Sequence, residues 1–165
     1  MRAGELAERV RARVPDVTVA RGEVTAVVDR TRLLAELAGL RDDGDLAFDF
    51  LSSVTATDWP GRVPRYWVSY ELSSTLHRHR LRVKVGIAED DARLPSVTAL
   101  FPTADWHERE TFDLYGIVFD GHPNLTRILL PDDWEGHPLR KTEELGGVNT
   151  RYKGAFVPPV DRRTT

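Results

Sequence analysis

The chain has 165 residues and no cysteine, and its 23 lysine and arginine residues against 26 aspartate and glutamate residues give a formal net charge of −3. This length is typical of one domain whose hydrophobic core needs no disulfide or metal. The lack of cysteine excludes disulfides, a thiolate nucleophile and cysteine-bound zinc or iron–sulfur clusters in this chain. The acidic balance is not typical of nucleic-acid binding, so we expect no nucleic-acid partner.

Apolar stretches are too short to cross a membrane. The longest run without a charged residue, residues 94–104, contains 11 residues and two prolines, whereas a spanning helix needs about 20 apolar residues. The first five residues also lack the apolar core of a signal peptide. We therefore expect a soluble chain without a membrane span, located in the cytoplasm.

The first 40 residues predict two helices and two strands. In the first helix apolar residues recur at i, i+4 and i+8, and Pro15 ends it. The second helix has four leucines on one face and ends at Leu40, with Asp29 or Thr31 as its cap. The strands are β-branched runs. The first helix covers residues 5–14, and the strands cover residues 17–20 and 23–28.

The middle of the chain predicts three strands and two helices. The strand over residues 80–85 alternates strictly and places Leu81, Val83 and Val85 on one face. Residues 73–79 are short enough to connect it to the preceding strand as an antiparallel hairpin. The other two strands cover residues 48–57 and 66–72. The helices cover residues 96–100, opened by Ser96, and 104–114, ended by Gly116.

The last third of the chain is rich in residues that interrupt regular structure. Six of the ten prolines and six of the twelve glycines follow Phe101. We predict an α+β fold in which residues 1–115 form a single compact domain, with a mostly antiparallel or mixed sheet flanked by helices. Residues 116–165 are predicted to form an extended arm, rich in proline and glycine, that docks on partner subunits.

Histidines are the candidate metal ligands outside that arm. His77 and His79 would share one face of a strand, but the neighbouring Arg78 and Arg80 repel a cation, which favours a structural role. On the helix over residues 104–114, Trp106, Glu110 and Asp113 share a face. The favoured interpretation is a charged helix whose glutamate and arginine side chains hydrogen-bond to nearby loops, rather than an acid–base pair.

The triplet Gly-His-Pro occurs at residues 121–123 and again at residues 136–138. Glycine permits a positive φ, and proline restricts the histidine before it, so each triplet predicts a rigid corner. The favoured interpretation is a corner with a buried, hydrogen-bonded imidazole, because the spacing supplies no third metal ligand. Arg127, Arg140 and Lys141 are candidates for binding phosphate or an acidic partner surface.

The stretch of residues 106–141 resembles the signature of the 30 kDa subunit, also called the C subunit, of respiratory NADH:quinone oxidoreductase (complex I). The resemblance rests on ERETFDLYGI at residues 108–117, on both Gly-His-Pro triplets and on HPLRK at residues 137–141. Weaker similarity extends upstream to about Arg21. The sequence departs from the family at Thr142, where aspartate is usual.

The resemblance implies a non-catalytic accessory subunit in the hydrophilic arm of a proton-translocating NADH:quinone oxidoreductase. It implies no catalytic residue, cofactor or metal in this chain, since FMN and the iron–sulfur clusters belong to partner subunits. The implied partners are the other hydrophilic-arm subunits, especially D and also B and I, on the cytoplasmic face of the cell membrane. The enzyme is the whole complex, and we expect no activity from the isolated chain.

We predict that the partner interface lies around the two corners and the basic end of the signature. Its residues are His122, Pro123, Arg127, His137, Pro138, Leu139, Arg140 and Lys141. One alternative is the equivalent subunit of a related membrane-bound hydrogenase or other-donor dehydrogenase complex. A second alternative is a free-standing metal-dependent enzyme that uses His107, His122, His137 and Glu110.

Overall fold

A computed structural model describes residues 2–143 of the chain. Three helices and seven strands form an α+β fold, which confirms the predicted fold class. The helices are α1 (Ala3–Arg11), α2 (Leu33–Asp42) and α3 (Ala104–Tyr115). The strands are β1 (Val17–Ala20), β2 (Glu23–Val27), β3 (Phe50–Asp58), β4 (Tyr66–Ser73), β5 (Arg80–Ile87), β6 (Arg93–Pro95) and β7 (Val118–Asp120).

Five of the strands form a mixed sheet in the order β1-β2-β5-β4-β3. The neighbours are antiparallel except for β2 and β5, which are parallel. The predicted hairpin of β4 and β5 is confirmed, with Tyr70 opposite Val83. Strands β6 and β7 form a separate parallel pair.

The helices cover one face of the large sheet. Helix α1 packs against β1 and β2, and α3 packs against β3. The strict alternation in β5 buries Leu81, Val83 and Val85 beneath them, as predicted. The opposite face carries partly exposed polar and aromatic side chains, such as Trp67 and Arg82. In the part of the chain that is described, no helix has the length and apolar character needed to span a bilayer.

The predicted helix over residues 96–100 is wrong. Residues 98–100 form a single turn, in which the Leu100 and Phe101 amides both donate to Val97 O, and Pro102 disfavours helical conformation at the residue before it. The Ser96 amide donates to Asp120 O, and the Val97 amide donates to a carboxylate oxygen of Glu108. The cap predicted for α2 is wrong: Asp29 accepts the Thr31 amide and so caps a short 3-10 turn, Arg30–Arg32, whereas Arg32 precedes α2 without a side-chain cap.

The sequence prediction missed both strands of the small sheet. Each has three residues, too few for a periodicity of two to be visible. Through β7 the chain contributes to the core beyond residue 115, with Ile117 and Phe119 buried. The division into a domain and an arm at residue 115 stays a prediction, and residues 144–165 of that arm lie outside the described residues.

Replacing Leu37 by alanine tests the packing of α2 into the hydrophobic core. Leu37 is fully buried, so Leu37→Ala should lower the free energy of unfolding by about 3 kcal/mol, since it removes buried methyl groups and leaves a cavity. Leu34 on the same helix is 41% exposed, and Leu34→Ala should cost less than about 1 kcal/mol. Urea denaturation measures both, and equal losses would contradict the packing.

Candidate functional site

Helix α3 supports the segment that follows β7. We call residues 121–143 the arm segment. The helix ends at Gly116, whose φ of 69° belongs to the left-handed region that glycine adopts readily. A Cβ atom there would lie 2.5 Å from His137 Cδ2 and from Arg140 Nη2. Glycine at this position therefore both ends the helix and lets the arm segment pack against it.

Asp113 of α3 is the first attachment point of the arm segment. Its side chain is fully buried. Oδ2 accepts the amides of Ile128, Leu129 and Leu130 at 3.0, 2.8 and 2.9 Å, and Oδ1 accepts Arg127 Nη1 at 2.7 Å. Burial alone would raise the pKa of Asp113, but the hydrogen bonds from these amides and from Arg127 outweigh it and lower that pKa.

Two arginines extend this attachment along the backbone. Arg127 Nη2 donates to the carbonyls of Trp134 at 3.0 Å and Gly136 at 3.2 Å. Arg109 of α3 donates to the carbonyls of Thr126 and Arg127, at 3.1 and 3.0 Å. Each guanidinium thus binds backbone groups of the arm segment that no helix or strand satisfies.

The two Gly-His-Pro corners are confirmed. Gly121 and Gly136 have φ values of 84° and 85°. The buried His122 ring accepts the Asn124 amide at Nδ1 and therefore donates from Nε2 to Asp105 O, at 3.1 Å. His137 donates from Nδ1 to Asp113 O at 2.9 Å. Burial, together with the nearby arginines, lowers the pKa of His137.

Asp58, at the end of β3, is the second attachment point. Arg65 binds its carboxylate with two hydrogen bonds of 2.7 and 2.8 Å, and the Lys141 amide donates to Oδ2 at 2.8 Å. These donors, Arg65 first, lower the pKa of Asp58. Arg140 Nε donates to Tyr115 O at 2.6 Å. Thr142, the position that departs from the family, accepts from Arg65 Nη2 at 3.5 Å.

The structure divides the eight predicted interface residues into two groups. His122, Arg127, His137 and Arg140 are half-buried and bind groups of α3 or the loop after it. The other four are exposed: Pro123, Pro138, Leu139 and Lys141. That these eight residues form a partner interface stays a prediction.

The sequence did not reveal Asp58 as an attachment point, nor two of the exposed apolar side chains. Asp58 and the Lys141 amide are 83 residues apart in the chain, so no local pattern could connect them. Leu129 and Trp106, 59% and 62% exposed, were not predicted as interface residues. The interpretation of α3 as a helix whose glutamate and arginine side chains hydrogen-bond to nearby loops is confirmed by Glu108 and Arg109.

The geometry gives no support to the metal-dependent enzyme. Within residues 2–143 no three histidine, aspartate or glutamate side chains are arranged to hold a metal ion. Both ring nitrogens of His122 are engaged by backbone groups. His77 and His79 lie in the β4–β5 turn and bind the carbonyls of Gly44 and Leu46, at 2.9 and 2.7 Å.

Sequence comparison places this geometry in a known family. The family model for the 30 kDa subunit of respiratory-chain NADH dehydrogenase matches residues 26–149. The C subunit of NADH-quinone oxidoreductase from Saccharopolyspora erythraea is 52% identical over 151 residues, which are 91% of this chain and 61% of that protein. The chain thus spans less than two thirds of the length of this curated relative.

Two solved structures have a similar fold. The trypsin-resistant fragment 1–134 of Nqo5 aligns with a TM-score of 0.66 and 34% identity, over 76% of this chain and all of that fragment. A chain of the membrane-bound sulfane sulfur reductase, an archaeal respiratory membrane complex, aligns with a TM-score of 0.71 over 84% of this chain and 83% of that one. Its identity of 24% shows a shared fold alone.

Replacing Asp113 by asparagine tests the first attachment point. Asp113→Asn leaves Arg127 without its carboxylate and should lower the free energy of unfolding by about 3 kcal/mol. The Leu129 and Leu130 amides should lose protection against hydrogen exchange. Glu110→Gln, at an exposed position of the same helix, should change stability by less than about 0.5 kcal/mol. Unchanged protection of the two amides in Asp113→Asn would contradict this role.

Acid should release the arm segment before the sheet unfolds. The folded chain lowers the pKa values of Asp58 and Asp113, so their contribution to stability is complete above the unfolded pKa of about 4 and is lost as pH falls through the folded pKa. Below about pH 4 the amides of residues 128–130 should therefore exchange faster, while those of β5 keep their protection. Hydrogen exchange followed by NMR measures both, and simultaneous loss would contradict the prediction.

Proposed function

The chain belongs to the family of the 30 kDa subunit of respiratory-chain NADH dehydrogenase, and from this membership we propose that it is a non-catalytic accessory subunit of a proton-translocating NADH:quinone oxidoreductase. Its role is to support assembly and to position the subunits that carry electrons from NADH through iron–sulfur clusters to quinone. FMN and the clusters belong to those partner subunits. The absence of cysteine from the chain supports this assignment, because cysteine thiolates are the usual ligands of iron–sulfur clusters.

The observation that carries the proposal is the surface of the arm segment. Its backbone is fixed to the domain by Asp58 and Asp113, yet it exposes large apolar side chains, with Leu129 59% and Leu139 41% exposed. Trp106 of α3 adds a third exposed apolar side chain. When the backbone is already ordered, apolar side chains bind a partner at a lower cost in conformational entropy. The arm segment therefore fits a docking surface.

The predicted interface residues take two roles in this proposal. His122, Arg127, His137 and Arg140 are positioning residues, since their polar atoms bind the domain itself. Pro123, Pro138, Leu139 and Lys141 contact the partner. Most of the area that these four residues bury in the interface is then apolar. The guanidinium groups of Arg127 and Arg140 already bind groups of this chain, so docking does not require the partner to remove them from water.

The partners we propose are the other subunits of the hydrophilic arm, first D and then B and I. Among residues 2–143 there is no helix suited to spanning a membrane. Attachment of this part of the chain through neighbouring subunits is consistent with that finding. We place the chain peripherally at the cytoplasmic face of the cell membrane, and we expect no activity when it is isolated.

A second candidate function places a subunit of the same fold in a different membrane-bound complex. The likeness to a chain of the membrane-bound sulfane sulfur reductase favours an equivalent subunit of a related membrane-bound hydrogenase or other-donor dehydrogenase complex. The 52% identity to a C subunit of NADH-quinone oxidoreductase favours the first candidate. Purification of the tagged chain from native membranes distinguishes them, since the first candidate requires subunits that bind NADH to copurify.

Charge placed on the exposed apolar side chains should block docking without unfolding the chain. Leu129→Asp and Leu139→Asp each put a carboxylate on the proposed interface, and we expect at least a tenfold loss of tagged chain incorporated into the membrane complex. Membrane NADH:quinone oxidoreductase activity should fall in parallel, because the complex is not assembled. Quantitative immunoblotting of the purified complex measures incorporation.

The matched control for this experiment is Leu76→Asp. Leu76 is 71% exposed and lies in the β4–β5 turn, outside the arm segment. Circular dichroism of each purified variant establishes that it folds. Normal incorporation of folded Leu129→Asp and Leu139→Asp, or equal loss with Leu76→Asp, would show that the arm segment is not the docking surface.

A further inference from the structure

Helix α3 buries a second carboxylate that the attachment of the arm segment does not use. Glu108 is fully buried. Its Oε2 accepts the Ser96 hydroxyl at 2.6 Å, and its Oε1 accepts the Val97 amide at 2.8 Å. Both donors belong to the turn after β6, and both are neutral.

Among residues 2–143 no cationic side chain is hydrogen-bonded to Glu108. Asp113, five residues later, binds an arginine and three amides, whereas Glu108 has one hydroxyl and one amide within the described residues. An isolated carboxylate in a buried site is far less stable than the neutral acid. The geometry therefore favours the protonated form of Glu108.

Among the titratable groups around Glu108 in residues 2–143, Asp105 acts in the same direction as burial. Tyr70 reaches it from β4, is fully buried and has a hydroxyl without a hydrogen-bond partner among residues 2–143. Asp105, one turn earlier on α3, adds a negative charge. The nearby part of β3 presents the apolar side chains of Val54 and Leu51, and Asp120 of β7 is exposed and paired with Arg93.

A pair of hydroxyl groups connects this carboxyl to the surface. Ser96 Oγ lies 2.6 Å from Glu108 Oε2 and 2.9 Å from Thr98 Oγ1, and Thr98 is partly exposed. Either hydroxyl can donate to the other. A proton on Glu108 can therefore pass to Ser96 as the Ser96 proton passes to Thr98 and the Thr98 proton passes to solvent. In the reverse direction solvent protonates Thr98, Thr98 protonates Ser96, and Ser96 protonates Glu108. The net change in either direction is the exchange of one proton between Glu108 and solvent.

We propose that Glu108 is a proton-binding site of this chain, filled through the hydroxyls of Ser96 and Thr98. The ligand is a single proton, and the site lies apart from the arm segment and its two attachment points. Burial, with a smaller contribution from Asp105, raises the pKa of Glu108 to about 7, against the lowering effect of the bonds from Ser96 and Val97.

The direct test is a carbon-13 NMR titration of the Glu108 carboxyl in the full-length chain, assigned through its bonded carbons in the wild type. We expect a midpoint near pH 7. A carboxyl that is fully ionised at pH 6 overturns the proposal. Ser96→Ala removes a donor to the carboxylate and breaks the hydroxyl pathway, so it should raise the midpoint and slow proton exchange. A midpoint that falls or stays unchanged overturns the role of Ser96.

A second measurement uses the pH dependence of stability. The folded pKa is raised, so between about pH 4.5 and 7 the folded wild type holds a proton that the unfolded chain has lost, and stability falls as pH rises. Relative to Glu108→Gln, a neutral isostere, the wild-type folding equilibrium constant should fall about tenfold per pH unit across this window. Glu110→Gln, the exposed control, should follow the wild type. A constant ratio between wild type and Glu108→Gln overturns the proposal.

Discussion

The carboxylate of Asp113 binds one guanidinium and three successive backbone amides, and the path of the chain after β7 depends on it. Residues 128–130 belong to neither a helix nor a strand, so their amides need another acceptor when water is excluded. One buried charge supplies it. Arg127 then extends the attachment to the carbonyls of Trp134 and Gly136. A segment rich in proline and glycine thereby obtains a defined conformation without regular structure of its own.

Helix α3 carries two buried carboxylates whose surroundings give them opposite chemistry. Asp113 is surrounded by donors, one of them cationic, and its pKa is lowered. Glu108 has two neutral donors and a negatively charged neighbour, and its pKa is raised. Burial raises both pKa values, but only Asp113 has an arginine and three amides whose hydrogen bonds outweigh it. One carboxylate therefore contributes a charge to the structure at neutral pH, while the other can exchange a proton.

The attachment of the arm segment uses guanidinium groups that could otherwise bind a partner. Arg65, Arg127 and Arg140 all bind carboxylates or carbonyls within the chain. Leu129 and Leu139 face outward as large apolar side chains, among exposed polar residues such as Asp132 and Glu135. A buried ion pair contributes little net stability but specifies one geometry, and its breakage is costly. Here that specificity holds an apolar surface in a fixed shape, which suits a subunit whose proposed task is to position its neighbours.

The sequence by itself determined the elements whose signal is local. Alternation in β5 predicted its buried face, the short connection predicted the β4–β5 hairpin, and Gly116 marked the end of α3. The signature from α3 to Lys141 indicated the family. Each of these predictions depends on residues that are close together in the chain. There a hydrophobic period, or a glycine that permits a positive φ, can be recognised in the sequence.

Only the tertiary structure decided how distant parts of the chain meet. Asp58 and Lys141 are 83 residues apart, β6 and β7 are too short to show alternation, and the Ser96 hydroxyl donates to Glu108, 12 residues later. The physical reason is the same in each case. A buried polar group needs a hydrogen-bond partner. Which group becomes that partner depends on the packing of the whole chain, and not on the residues adjacent to the polar group in the sequence.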